Sequence, residues 1–135
     1  LVADPEAGRV ISVDEMDGSG WVSAGNNDQA ALALNGPVAV TTQQAETIVC
    51  ELSSRRLSLF AHFPAAPIER FDGVQGSLPL VGPTAAVATG PSSLAVLEAP
   101  IARLLHLDRG AGWTMLADLH LSRLGVAQPL GICVE

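Results

Sequence analysis

The segment from Leu104 to Arg123 constrains the fold more than any other part of this chain. Leu105-His106-Leu107-Asp108-Arg109 is echoed by Leu119-His120-Leu121-Ser122-Arg123, with the turn signal Arg109-Gly110-Ala111-Gly112 between them. Apolar residues alternating with polar ones line one face of a pleated strand, so two such runs across a glycine-rich turn predict a β-hairpin. The expected strands run from Ala102 to Asp108 and from Trp113 to Ser122. A helix from Met115 to Leu124, stopped by Gly125, competes; the alternation of Met115, Ala117, Leu119 and Leu121 favours the strand.

The same signals run through the rest of the chain. Arg9 to Val13 predicts a strand closed by Asp17-Gly18-Ser19-Gly20, and Trp21 to Ala24 predicts a second. Ala30 to Leu34 fits either a helix or a strand, and Val38-Ala39-Val40 is extended. Residues 42 to 54 predict a helix: Thr41 can cap it, Gln44 completes a capping-box pattern, and Ala45, Val49 and Leu52 fall on one stripe beside Ile48. Leu57 to Phe63 alternates as a strand, Leu94 to Leu97 is a continuous apolar run suited to a buried strand, and Pro129 to Val134 forms a closing strand. The expected fold is α+β: an antiparallel sheet or small barrel with one definite helix packed on it. The alternative is a ferredoxin-like βαβ pseudo-repeat, which requires a helix running through Pro100.

A chain of 135 residues fits a single domain that buries roughly two-thirds of its unfolded surface. Leu1 opens it and an apolar run, Gly131-Ile132-Cys133-Val134, nearly ends it, which suggests a domain excised from a longer protein. Apolar residues make up 48% and charged residues only 16%, so some apolar surface is expected to stay open for a partner. A net charge of −7 disfavours nucleic-acid binding, which needs clustered positive charge. Lysine is absent, which excludes Schiff-base and P-loop chemistry and fits a high-GC bacterial coding bias. No window approaches a transmembrane span. Cys50 and Cys133 have no paired-ligand spacing, and two buried free thiols are expected rather than a disulfide.

The ionisable residues of the hairpin are the candidate catalytic set. His106, Asp108, Asp118 and His120 are of metal-ligand type. If Asp108 pairs with Thr114, His106 lies opposite Leu116, and Asp118 is its diagonal neighbour about 7 Å away on the same face. His120 is then too distant for four ligands to converge, so no metal site is expected and a His106–Asp118 pair is what survives. His62 has no nucleophile on a strained glycine turn to serve, and Cys50, one residue off the apolar stripe, is expected to pack. The acidic turn Asp14 to Gly20 departs from a calcium loop in the places of its glycine and glutamate.

Two functions from different classes follow. The first is a non-catalytic protein-interaction or assembly module that self-associates, with Trp21 and Trp113, each following a glycine loop, as candidate interface anchors. The alternative is a small-ligand or flavin-type cofactor-binding domain, for which Arg103 and Arg109 are the candidate phosphate-holding residues. A hydrolase or metal enzyme using His106 and Asp118 is the least supported.

Overall fold

Thirteen glycines and nine prolines divide the chain into short runs, and short runs of β-branched and aliphatic residues between turn formers settle as strands. The computed structural model describes residues 1–15, 17, 19–25, 33–43, 45–74, 78–110 and 112–133. Among these residues strands dominate, and the helical elements are two short 3-10 turns, Ala99–Ile101 and Leu121–Leu124.

Three antiparallel meanders follow one another. The N-terminal sheet holds β1 (Val2–Asp4), β2 (Arg9–Ser12) and β3 (Val22–Gly25). The middle sheet holds β4 (Pro37–Gln43), β5 (Glu46–Glu51), β6 (Arg56–Phe60) and β7 (Glu69–Phe71). A two-stranded ribbon, β8 (Gly73–Val74) with β9 (Leu78–Pro79), leads on. The C-terminal sheet holds β10 (Ala85–Ala88), β11 (Ser93–Glu98), β12 (Arg103–Asp108) and β13 (Thr114–His120).

The fold is therefore not α+β, and the expected helix over 42 to 54 is instead the end of β4, all of β5 and a turn. Thr47, Ile48, Val49, Cys50 and Glu51 are all buried, so both faces of this run are covered. A strand with two covered faces carries apolar residues continuously, and some of them fall by coincidence at helical spacing. The β-branched residues Thr47, Ile48 and Val49 then favour the extended form. Gln44, the expected capping partner, and most of the 30–34 stretch lie outside the described residues. The ferredoxin-like alternative fails as well, because strand neighbours within each large sheet are consecutive and antiparallel, with no crossover. Pro129 to Cys133 is not in a strand.

The sheets pack face to face, with the middle one sandwiched. Its Ile48, Cys50, Leu57, Leu59 and Phe71 meet Ala86, Leu94, Val96, Leu105 and Leu107 of the C-terminal sheet. Its other face brings Val49, Phe60 and Val40 against Val10 and Ala3 of the N-terminal sheet. The alternation that sends odd and even residues to opposite faces thus builds two cores from one sheet.

The sheets also repeat. Asp4, Glu51 and Glu98 stand at intervals of 47 residues, and so do Arg9, Arg56 and Arg103. Each acid ends one strand and pairs with the arginine that begins the next, across a four-residue turn. The residue before each arginine, Gly8, Arg55 or Ala102, has φ of 64°, 55° or 48°. Its N–H donates to the carbonyl three residues back in all three turns: Pro5, Leu52 and Ala99. Leu34-Asn35-Gly36-Pro37 and Leu80-Val81-Gly82-Pro83, which enter β4 and β10, are a second echo, offset by 46. A chain that repeats one supersecondary unit at such a period builds an array in which each unit buries its neighbour.

Candidate functional site

The turn acids gather the buried polar chemistry. Glu98, fully buried, accepts from Arg103 Nε at 2.6 Å and from the backbone N–H groups of Val81 and Gly82 at 2.5 and 3.0 Å. Glu51, also fully buried, accepts from Arg56 Nε and Nη2 at 2.9 Å each and from Asn35 N–H at 2.7 Å. Ser54 donates to it at 3.0 Å, and Ser58 donates through a short bond. Asn35 and Val81 occupy matching places in the two Gly-Pro entries, so each glutamate ties its own turn to the loop that brings in the first strand. Burial raises the Glu51 carboxyl, but the bonds from Arg56, Ser58 and Asn35 together hold it below its ordinary value of 4.5. Asp4 keeps the same arginine contact, with Arg9 at 3.0 Å, in a setting open to water.

The hairpin places the candidate catalytic residues apart. Asp108 does pair with Thr114, but the register shifts between His106 and Leu107, so that His106 faces Ala117 and Leu105 faces Asp118. One extra residue on β13 moves Asp118 to the face opposite His106. His106 instead shares a hydrogen bond with Thr89 Oγ1 at 3.0 Å. Asp118 Oδ1 is buried without a hydrogen-bond partner among the described residues. The Asp108 carboxylate takes the N–H of Gly110 at 2.8 Å, which together with a bond from Ser92 holds its pKa below the ordinary range. No three His, Cys, Asp or Glu side chains among the described residues converge as a metal site requires.

The remaining candidates divide between structural contacts and open surface. Arg103 is committed to Glu98, and Arg109 Nη2 donates to Glu46 Oε2 at 2.5 Å, tying the loop after β12 to the start of β5. Trp113 stacks on Phe71 with ring centroids 4.0 Å apart and donates its indole N–H to Glu69. These two rings wall a cleft of about 460 Å³ that Arg70, Asp72 and Thr114 also line. Trp21 stays 56% exposed. His62 is exposed, and Cys50 is buried with its thiol pushed up to about 12 by desolvation; Cys133, expected to be buried, is exposed because the apolar run that carries it joins no strand, and both cysteines are free.

The chain matches no family model, no curated protein and no solved structure. No helix among the described residues is long and apolar enough to cross a membrane.

Among the described residues no further sheet lies on the far face of the C-terminal sheet. Leu97 pairs with Leu104, Leu104 with Leu119, and His106 with Ala117, so these residues share the face turned away from the middle sheet. Ala95 and Leu97 are buried there, Leu104 and His106 are half-buried, and Leu119 is exposed. Leu116, the extra residue of the bulge, and Leu124, Val126 and Leu130 beyond the sheet add further exposed apolar surface. Alternation and turn signals point at His106 and pass over Glu51 and Glu98, because each glutamate ends an apolar run and reads as punctuation. The 47-residue repeat of an acid followed five residues on by an arginine marks both at once.

Proposed function

We propose that this chain is a non-catalytic protein-interaction or assembly module that self-associates. The observation that carries this reading is the open apolar face of the C-terminal sheet, around Leu104 and Leu119. Monomeric proteins rarely leave a contiguous apolar patch of that kind uncovered, and such patches mark association sites. Exposed Trp21 adds a second large apolar side chain of the sort that anchors interfaces. The ion pairs of the turns support the same reading, since buried Glu51, Glu98 and Arg103, with half-buried Arg56, are spent on holding turns to strands.

A native mass spectrum of the purified protein tests it. The expected species is an integer multiple of the chain, or the chain with another polypeptide. Extra non-protein mass that disappears on denaturation overturns the module and favours the small-ligand binder.

A further inference from the structure

Charge on this chain is lopsided in kind as well as in amount. Fourteen acids stand against seven arginines, and lysine is absent. Arg9, Arg56, Arg103 and Arg109 are committed to ion pairs, and Arg70 Nη2 donates to the carbonyl of Ala33 at 3.2 Å. Most of the positive charge is thus held internally, while the chain as a whole carries a net charge of −7. Such a field draws cationic partners and speeds their encounter.

The aromatic cleft between the end of β7 and the start of β13 gives that field a shaped surface. Its volume of about 460 Å³ falls within the roughly 300–1,000 Å³ of ordinary ligand pockets. Phe71 and half-buried Trp113 wall it, their rings stacked at an interplanar angle of 21°. Both rings pack against the core shared by the middle and C-terminal sheets, which fixes them before anything binds. The indole N–H donates to the Glu69 carboxylate, and a carboxylate on that proton makes the ring richer in electrons. A cation over the face of a tryptophan is attracted by the negative face of the ring, and an electron-rich ring attracts it more.

The charge held at the cleft is negative. Asp72 lines it, is exposed, and has no ion pair among the described residues. Leu80 N–H donates to its backbone carbonyl at 2.8 Å, which holds this residue in place as the chain leaves β7. Arg70 borders the cleft as well, but alternation along β7 sends its guanidinium to the face opposite Glu69 and Phe71, toward Ala33. Gly73 and Gly112 line the rest without side chains, which leaves room for one from outside.

We infer that this cleft receives an arginine side chain from a basic segment of a partner protein, its guanidinium held by the Trp113 ring and the Asp72 carboxylate. A guanidinium suits both walls: it is planar and weakly hydrated, stacks on aromatic faces, and forks onto a carboxylate. The partner is a different polypeptide, because five of this chain's seven arginines already hold internal contacts. The cleft is separate from the apolar face on which self-association rests, so the inference goes beyond that reading and does not depend on it.

The test follows the two indole N–H signals by nuclear magnetic resonance, with Trp21→Phe to assign them. The probe is an acetylated, amidated peptide of alternating arginine and glycine; its counterpart with citrulline in place of arginine keeps the shape without the charge. The arginine peptide is expected to move the Trp113 signal saturably, and the citrulline peptide to bind about tenfold or more weakly. Trp113→Phe keeps a ring against Phe71 and Asp72→Asn alters an exposed side chain, so both should retain the wild-type circular dichroism. Each is expected to weaken the peptide about fivefold, read by anisotropy of a labelled peptide, and added salt to weaken it in wild type. An unmoved Trp113 signal overturns the inference, as does equal binding of the citrulline peptide or wild-type affinity in D72N. Methylguanidinium chloride binding as tightly as the peptide overturns the polypeptide partner in favour of a small free cation. The signals are read on monomer and multimer alike, so failure of self-association and failure of this site are told apart.

Discussion

One turn built three times in graded surroundings offers a controlled measure of what burial does to an ion pair. Alanine in place of Arg103, Arg56 and Arg9 removes the same partner from the same position of the same turn. Arg103 is 4% exposed in its side chain and Glu98 not at all, so Arg103→Ala leaves a buried carboxylate facing two backbone amides alone. Breaking a buried pair in this way costs about 3–5 kcal/mol. Arg56 is 24% exposed, and Glu51 retains Ser54, Ser58 and Asn35 as donors. Losing one charge-assisted partner there costs about 1.5–3 kcal/mol. Arg9 and Asp4 are 34% and 30% exposed, and Arg9→Ala is expected to shift the unfolding midpoint no more than repeat measurements of wild type differ. Urea unfolding of the four proteins at neutral pH reads the order directly, provided the slopes agree. If R9A destabilises as much as R103A, or all three match, burial does not set the strength of these turns and the reasoning fails.

Further outcomes follow from the same contacts. Because Glu51 is held below 4.5, its contribution is complete above that value and is lost as pH falls through the lower folded-state pKa; Glu51→Gln should therefore show a flatter decline in urea midpoint between neutral pH and acid than wild type. Ala102 adopts φ 48° where the first turn has Gly8, so Ala102→Gly should stabilise by up to about 1 kcal/mol, read as a raised melting temperature, and a drop would refute the backbone argument. A methyl on Gly36 would lie 2.3 Å from Ser53 Oγ at φ 63°, so Gly36→Ala should destabilise by about 1–3 kcal/mol in urea. Ellman's reagent should titrate one thiol, Cys133, in the native protein and two after unfolding, since Cys50 is buried with its pKa near 12.

The C-terminal hairpin was legible because its outer strand keeps a polar partner beside most apolar residues and its turn is rich in glycine. Its register was not, since the bulge near His106 leaves the alternation intact on each side and changes only which faces meet. That single residue separates Asp118 from His106 and dissolves the one candidate pair the sequence offered. The run Thr47 to Glu51 misled for a different reason: only the presence of sheets on both sides explains why it is buried throughout, and neighbours so distant in sequence leave no local mark. The repeat escaped local inspection because most positions differ between units. The Leu34 and Leu80 entries share only their leucine and Gly-Pro, and the turns share an acid and an arginine.

The middle sheet's position between two others has a kinetic consequence. Meander pairing keeps contacts close in sequence, and among the described residues the main contacts between large sheets join the middle one to each of its neighbours, so stability adds up along the array rather than throughout a common centre. Openings should then begin at the ends: β1 to β3 can detach by losing one joint, and β10 to β13 by losing the other. The amides of Val49, Cys50 and Leu57 sit under both covers, and their deuterium uptake should wait for the rarest opening of the chain. Slow exchange confined to β5 and β6, falling away toward both termini, would be the signature of a protein that comes apart by units.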